Sequence, residues 1–506
     1  MKNKIKNISY KYQTIFIFLA GCMASLGFAP QNIFIFTIIS FCYALVILEK
    51  TQKKKQAFIL GLTFGLGHQV SSLYWIAISF DIANYGGYIF GALAVIFLSI
   101  FLSLITATSF FLIKIFSNKL NNISSAVLII IIFSLSDWVR GNILWEFPWT
   151  PISAIWTFSK LTISPFAILG SWGYSLITFS LIVGIYFFKH NVKQGFLMVF
   201  PFIFFLFLGA LPVKKYIGES SRINIRLVQP NIEQSDKWNI KKLDEHLKKL
   251  INLSNIKSLK KIDLVIWPET SVPFDIEKSN KQLRESLTNV NNLIVGAIRK
   301  TETVDKLKIF NSLFLIKDSF KSIQYHDKLK LVPFGEFIPF RKYLKFKKFT
   351  LGGIDFSYGE QVKVLELNSN VKILPLICYE VIFPKITREK SNHYNLIVNI
   401  TNDGWYGKSS GPYQHLALAK IRAVQEGKFL LRAANTGVSA IINYEGKVIE
   451  KIGLGRKGII DKELVLIKKN TMYSKFGDNI FLFLIILLFF LLIFININYK
   501  WVNKHE

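Results

Sequence analysis

This chain is short of acidic residues and of cysteine. Aspartate and glutamate number 32 against 62 lysines and arginines, and cysteine occurs three times in 506 residues. Thiols at 22, 42 and 378 build no disulfide framework. Cys22 and Cys42 fall in apolar runs, as packing or lipid-facing residues, so Cys378 is the thiol in a different setting. The missing acid leaves a net charge of +30, a balance that raises nucleic acid as a partner. The lysines are spread along the chain, however, and no nucleic-acid-binding motif accompanies them, so none is expected. No internal repeat and no low-complexity linker occurs. Polar residues are sparse inside the apolar runs, which argues against a transporter built on broken helices. No cofactor and no metal are expected.

What is abundant is hydrophobic residues, at 51%, with Ile and Phe prominent. Long apolar runs fall at 14–29, 33–48, 57–78, 88–113, 124–139, 165–188, 195–211 and 479–497, each about long enough to cross a ~30 Å hydrocarbon core as a helix. The first two are short and the fifth carries polar residues. The first follows a basic tail, as a signal peptide would, but the second comes so soon after it that a helical hairpin is the better reading. Lysines crowd the N-terminal tail, LEKTQKKKQ, KIFSNKLNN, FFKHNVKQ and YKWVNKHE, while loops 29–32 and 79–87 carry none. Eight spans with that asymmetry put both termini in the cytoplasm and the segment between the seventh and eighth spans in the periplasm. The expected organisation is a membrane domain of seven helices over 1–213, an α/β domain over 214–474, and an eighth helix with a cytoplasmic tail over 475–506. Within the spans, GLTFGLG at 61–67 offers small residues for close helix contact. Asp137, Arg140 and Glu146 end the fifth span beside Trp138, Trp145 and Trp149. They are read as interfacial anchors in preference to a cavity lining.

From 214 onward the pattern changes. Short apolar runs (RINIRLVQ, IDLVIW, NNLIVGAI, IFNSLFLI, VKILPLICY, NLIVNIT) alternate with charged amphipathic stretches such as KKLDEHLKKLINLSNI, which argues a layered α/β domain; periodicity alone leaves a Rossmann-like sheet open. Three of these runs end in chemistry. VKILPLICYE reaches Cys378 where its strand runs out, ahead of a segment that can open a helix. KIDLVIWPETSVPF ends its strand at Pro268 and Glu269. YHDKLKLVPFGEFIPF sets Lys328, Lys330 and Glu336 in a stretch punctuated by Pro333, Gly335 and Pro339. If these strands share a sheet, a carboxylate, an ammonium and a thiol converge, which is the base, electrophile and nucleophile set of acyl transfer. His326, His393 and His415 are rival bases. His326, two residues before Lys328, would share its face on a strand.

WPE, K-x-x-LVPFGE and CYE in that order resemble the nitrilase, or carbon-nitrogen hydrolase, superfamily. Over nearly its full length the chain resembles the apolipoprotein N-acyltransferase family, through VQPNIEQSDKW at 228–238, the three motifs, NDGWYG at 402–407, RAANTGVSA at 432–440 and the membrane pattern. The resemblance implies a nitrilase-type αββα sandwich beside the polytopic helical domain, and a catalytic set of Glu269 as base, Lys328 rather than Lys330 as oxyanion stabiliser, and Cys378 as nucleophile. The N–H of Tyr379 would assist Lys328. Glu336 would orient Lys328 or an incoming amine, Tyr379 and Glu380 would stand near the site, and Trp238 and Trp405 would lie on arms at its mouth, with simple packing as the alternative. It implies an inner-membrane, monomeric enzyme that moves an acyl chain from a membrane phospholipid, through a thioester, to the α-amino group of a diacylglyceryl-cysteine at the start of an apolipoprotein. The alternative is a membrane-anchored amidase that uses the same residues with water.

Overall fold

In the computed structural model, all residues are described except 1, 119, 144–145, 212–220, 238, 276–289, 304–305, 319–320, 344–347, 349–354, 391–392, 468–469 and 506. The chain folds as two compact units. One comprises 1–74, 92–212 and 475–506; the other comprises 75–91 and 213–474.

Helices form at all eight long apolar runs: α1 (Lys2–Ala24), α2 (Phe34–Lys50), α3 (Lys54–Leu73), then, after the short α4 (Ile76–Ile82), α5 (Gly87–Ser117), α6 (Asn122–Asn142), α7 (Phe166–Phe187), α8 (Val192–Ala210), and, at the end of the chain, Asn479–His505. Five of them (α5 to α8 and the last) are long and apolar enough to cross a membrane; the apolar stretch of α1 is shorter. The third run does not continue to Ile78 as its hydropathy implies. It breaks at Tyr74–Trp75, and α4 packs within the second unit. The small residues do bring helices close. A Cβ on Gly67 would lie 2.2 Å from the Phe18 carbonyl oxygen, and one on Gly21 would lie 2.1 Å from that of Phe64, so α1 and α3 touch backbone to backbone.

The charges at the end of α6 are a correction. Asp137 and Arg140 are 9% and 7% exposed and lie 2.6 Å apart. Arg140 also donates to the carbonyls of Phe147, Trp149 and Thr150, and Asp137 accepts from the Ile152 N–H and the Ser175 hydroxyl. Trp149 is fully buried. A buried guanidinium requires this many acceptors, so the pair fastens loop 147–152 onto α6 and lines a cavity inside the first unit. Trp138 is half-buried and stacks on Phe481, Glu146 is half-buried, and Trp145 lies outside the described residues.

The second unit is an αββα sandwich. One sheet runs β13–β1–β2–β4–β5–β6, where β1 is Ser221–Gln229, β2 Leu264–Ile266, β4 Leu293–Thr303, β5 Lys306–Lys317, β6 Ser322–Asp327 and β13 Gly458–Leu466; the short β3 (Val272–Asp275) pairs with β4. The other runs β12–β11–β10–β9–β8–β7, from Val448–Ile452 through Ser439–Ile442, Phe429–Ala434, Leu396–Thr401 and Val371–Ile377 to Leu365–Asn368. Strands 1, 2 and 4, and strands 8, 9 and 10, run parallel. Buried on both faces, they read as continuous apolar runs.

Alternation decides which layer each side chain joins. Ile223, Ile225 and Leu227 of β1 and Leu313 and Leu315 of β5 meet Ile373, Ile377, Val398, Ile400 and Leu431 between the sheets. Val228, Phe314 and Ile316 point the other way, against Leu247, Leu250 and Leu253 on one stripe of α9 (Leu243–Ser254). Each such Leu or Ile contributes about 1.5–3 kcal/mol by leaving water. On the other sheet lies α11 (Gly411–Glu426), opened by Pro412 and stopped by left-handed Gly427; α10 (Pro384–Glu389) is short. This stacking leaves strand ends of both sheets free to present side chains at one place.

Candidate active site

Glu269 follows β2, Lys328 follows β6 and Cys378 follows β8, so each comes off a strand whose register is fixed by buried neighbours. All three are 1–6% exposed, and they meet. Lys328 Nζ lies 3.1 Å from Glu269 Oε1 and 2.9 Å from Glu336 Oε1. Asn311, on β5, donates Nδ2 to the same two oxygens at 2.8 and 2.9 Å. The second oxygen of Glu336 accepts from the Val332 N–H, and the Cys378 thiol feels both the Glu269 carboxylate and the Thr401 hydroxyl. Gly296 on β4 permits this approach: a Cβ there would lie 2.4 Å from the Thr270 nitrogen and 2.7 Å from Glu269 Cα.

Cys378 has φ +50°, a left-handed conformation that costs a non-glycine residue about 1–3 kcal/mol and must be held from outside. Glu380 holds one side. Its Oε2 accepts from the Ile377 N–H at 2.7 Å and its Oε1 from the Leu329 N–H at 2.6 Å, which ties the Cys378 turn to the segment carrying Lys328. The Cys378 carbonyl accepts from His415 Nε2 at 3.1 Å and Asn399 Nδ2 at 3.4 Å. Tyr379 is buried, with its ring edge-on to Phe383.

The electrostatics follow from burial and charge. Burial would raise the Glu269 carboxyl, but Lys328, Lys237, Asn311 and the thiol together draw it below its ordinary value. Burial would lower Lys328, yet the carboxylates of Glu269 and Glu336 hold it above its ordinary value. Burial and then the Glu269 charge push the Cys378 thiol up to about 12, against the pull of Lys328. The resting site is therefore carboxylate, ammonium and neutral thiol. With the thiol near 12, alkylation of Cys378 by iodoacetamide should rise about tenfold per pH unit from pH 7 to 10 without levelling. A plateau reached by pH 9 would contradict this electrostatic picture.

The other sequence candidates separate. Lys330 is half-buried with its ammonium over the Phe383 ring, so Lys328 is the lysine on the two carboxylates. Of the rival histidines, His326 is fully buried 3.6 Å from Glu380, beyond hydrogen-bonding distance, and His393 is exposed. His415 faces the backbone of Cys378. Trp405 is half-buried, and its carbonyl accepts from the Ser79 hydroxyl. Trp238 lies outside the described residues.

Three features went unread in the sequence. Asn311 is one, its only signal being a polar break in IFNSLFLI. Lys237 is another: 5% exposed, it donates to the Glu269 carbonyl at 2.8 Å, and burial lowers it to about 8. The third is segment 75–91. The Trp75 indole donates to Gln414 Oε1 at 3.2 Å, and its ring meets Tyr406 edge-on at 4.5 Å. Among the described residues no group of three or more His, Cys, Asp or Glu side chains is placed to hold a metal.

Residues 224–467 match the model of the carbon-nitrogen hydrolase family, and residues 20–185 match that of the apolipoprotein N-acyltransferase N-terminal domain. The apolipoprotein N-acyltransferase of Rickettsia typhi (strain ATCC VR-144 / Wilmington) is 35% identical over 95% of this chain and 98% of its own. This chain belongs to the apolipoprotein N-acyltransferase family. It is accordingly a membrane protein and an acyltransferase. The Rickettsia prowazekii (strain Madrid E) and Rhodopseudomonas palustris (strain ATCC BAA-98 / CGA009) apolipoprotein N-acyltransferases are 34% and 31% identical, covering 95% and 92% of this chain and 98% and 92% of their own. Among solved structures, Saccharomyces cerevisiae Nit3, a member of branch 10 of the nitrilase superfamily, overlays 51% of this chain and 93% of its own with a TM-score of 0.38 and 18% identity.

Proposed function

We propose that the chain transfers an acyl group from a membrane phospholipid, by way of a thioester on Cys378, to the α-amino group of a diacylglyceryl-cysteine at the start of an apolipoprotein. The observation that carries this reading is the closed set of Cys378 thiol, Glu269 carboxylate and Lys328 ammonium, in a unit that the sequence strings between apolar helices. Glu269 takes the thiol proton as sulfur attacks the ester carbonyl. The oxyanion is met by the Tyr379 N–H and by Lys328, whose ammonium has three N–H bonds and spends two on Glu269 and Glu336. Collapse breaks the ester C–O bond, and Glu269 returns the proton to the departing lysophospholipid oxygen. The acceptor amine then attacks the thioester, Glu269 takes its proton, and the thiol is restored. Glu336 and Asn311 keep Lys328 and Glu269 aligned, and Trp238 and Trp405 act in substrate exchange.

The lysine asymmetry supports both termini in the cytoplasm and the catalytic unit in the periplasm, bounded near 214 and 474. Seven apolar runs before that unit exceed what an anchor needs and favour a lipid-handling enzyme over an anchored amidase. The deciding experiment reconstitutes the full chain as a monomer in vesicles with acyl-labelled phospholipid and a diacylglyceryl peptide. The peptide should gain one amide-linked acyl chain. Release of free fatty acid with the peptide unchanged would overturn the transferase reading in favour of hydrolysis.

A further inference from the structure

His415 is fully buried and takes no part in the proton transfers above, yet it touches the nucleophile's own backbone. Its Nε2 lies 3.1 Å from the Cys378 carbonyl oxygen, and its Nδ1 lies 2.9 Å from both Asp403 Oδ1 and Arg432 Nη2. Asp403 and Arg432 are 1% and 0% exposed and pair at 2.7 Å, with Asp403 also accepting from Thr401. Arg432 in turn donates to Asn399 Oδ1, and Asn399 Nδ2 reaches the same Cys378 carbonyl.

One contact fixes a proton. A carbonyl oxygen only accepts, so Nε2 must carry a proton toward Cys378. Nδ1 meets the Asp403 carboxylate and the Arg432 guanidinium at the same distance, and burial and the guanidinium lower the imidazole below its ordinary value. Asp403, held well below its ordinary value against burial by Arg432 and His415, stays ionised as the partner of the guanidinium. The assembly is thus an ion pair orienting an imidazole whose Nε2–H is committed to Cys378.

That bond has a geometric consequence. In a trans peptide the C=O of one residue and the N–H of the next point in opposite directions. Pulling the Cys378 carbonyl toward His415 turns the Tyr379 N–H away from it. A residue at φ +50° needs such an external hold to keep its peptide plane in place.

We propose that His415 is a positioning residue for the oxyanion hole: by clamping the Cys378 carbonyl it aims the Tyr379 N–H at the oxyanion, with Asp403 and Arg432 holding the imidazole's plane. The clamp rests on the acyl-transfer reading, since it serves an oxyanion that only attack on a carbonyl generates. The same packing reaches segment 75–91, because the Tyr406 ring lies edge-on to both Trp75 and His415.

Two substitutions separate this role from mere packing. Glutamine places an amide N–H near the position of Nε2 and can keep the bond to Cys378. Asparagine reaches only the position of Nδ1, so it keeps the Asp403 and Arg432 side and loses the clamp. In the full chain, two rates are compared: single-turnover thioester formation from phospholipid, which needs the oxyanion hole, and iodoacetamide alkylation of Cys378, a displacement at saturated carbon that does not. His415→Asn should lose about 10²–10³-fold in thioester formation, the size expected for one oxyanion donor, while alkylation stays within about threefold of wild type. His415→Gln should stay within about tenfold in both.

Equal loss in Asn and Gln, or a parallel fall in alkylation, would overturn the clamp, as would undiminished thioester formation in His415→Asn. If His415→Asn does not accumulate in the membrane, His415→Gln decides alone: a loss beyond about 100-fold with normal alkylation overturns the proposal. Failure of the wild-type chain to form a thioester would instead defeat the acyl-transfer reading, which distinguishes the two outcomes.

Discussion

Replacing Cys378 by alanine should reduce acyl transfer by about 10⁵-fold or more while leaving the chain folded in the membrane. Removing a covalent nucleophile leaves only binding and oxyanion stabilisation, and neither forms a thioester. Serine in its place should do little better. Its hydroxyl is far harder to ionise than a thiol, and the available base is a carboxylate drawn below its ordinary value by two lysines and an amide. Glu380 and His415 hold backbone groups of this turn and not the sulfur, so the turn should persist in both variants. Near-normal turnover by the alanine variant would remove Cys378 from the reaction; comparing membrane yield and thermal melting between variant and wild type separates lost chemistry from lost fold.

The second large effect is expected at Lys328, where catalysis and stability are coupled. Lys328→Met should lower thioester formation by ~10³-fold or more, since the proposed mechanism uses the ammonium as oxyanion donor and the structure sets it as counter-ion to Glu269 and Glu336. It should also destabilise the catalytic unit by about 3–5 kcal/mol, because Glu269 and Glu336 are left as two buried carboxylates around one amide. The sign of the pH dependence is diagnostic. In the wild-type chain Glu269 is held below its unfolded value of about 4.3, so its contribution is fully present above that value and is lost only as pH falls through the still lower folded value. Without the lysine, burial, already the largest influence on Glu269, outweighs the remaining pull of Lys237 and Asn311, so its folded value should rise above the unfolded one and stability should grow as pH falls through it. The variant should therefore melt at higher temperature at pH 5.5 than at pH 8, while the wild type should show no such gain. Adding Glu336→Gln to Lys328→Met removes one buried charge and should restore part of the stability and none of the activity. A Lys328→Met chain as stable as wild type at pH 8 would mean that the carboxylates do not depend on Lys328.

Much of this site was legible because strand ends are. Continuous apolar runs such as LIVNIT and VKILPLI are what strands buried on both faces require, and a polar residue where such a run stops has few places to go but a shared crevice. That located Glu269 and Cys378 by position, while the resemblance chose Lys328 over Lys330 and supplied the roles of all three. Asn311 escaped because it sits within a strand, where its amide reads as an interruption and not as a bridge between two carboxylates 42 and 25 residues away. His415 was visible as a titratable group in the right domain, but a sequence gives no direction to an imidazole, and its nitrogens turn to the backbone of Cys378 and to Arg432.

Segment 75–91 and the end of α6 were misread for a related reason. Hydropathy measures how apolar a stretch is and not what it packs against. The third run continues in composition past Tyr74 while the chain breaks, and Trp75 and Ser79 turn to the NDGWYG region and α11. Asp137, Arg140 and Trp149 have the composition of an interfacial belt, yet all three are buried, with Asp137 and Arg140 paired on loop 147–152. Ion pairing of that kind depends on a partner loop that no window of sequence contains.

Covalent transfer through Cys378 is tested most directly by mass. The purified full-length chain is incubated with a phospholipid of defined acyl composition and no acceptor, then weighed intact and mapped by peptide. The expected result is a mass increase of one acyl group confined to the peptide containing Cys378, released by neutral hydroxylamine, absent from Cys378→Ala, and discharged when a diacylglyceryl peptide is added. An acyl group on any other residue, or transfer to the peptide with no acyl group passing through Cys378, would contradict it.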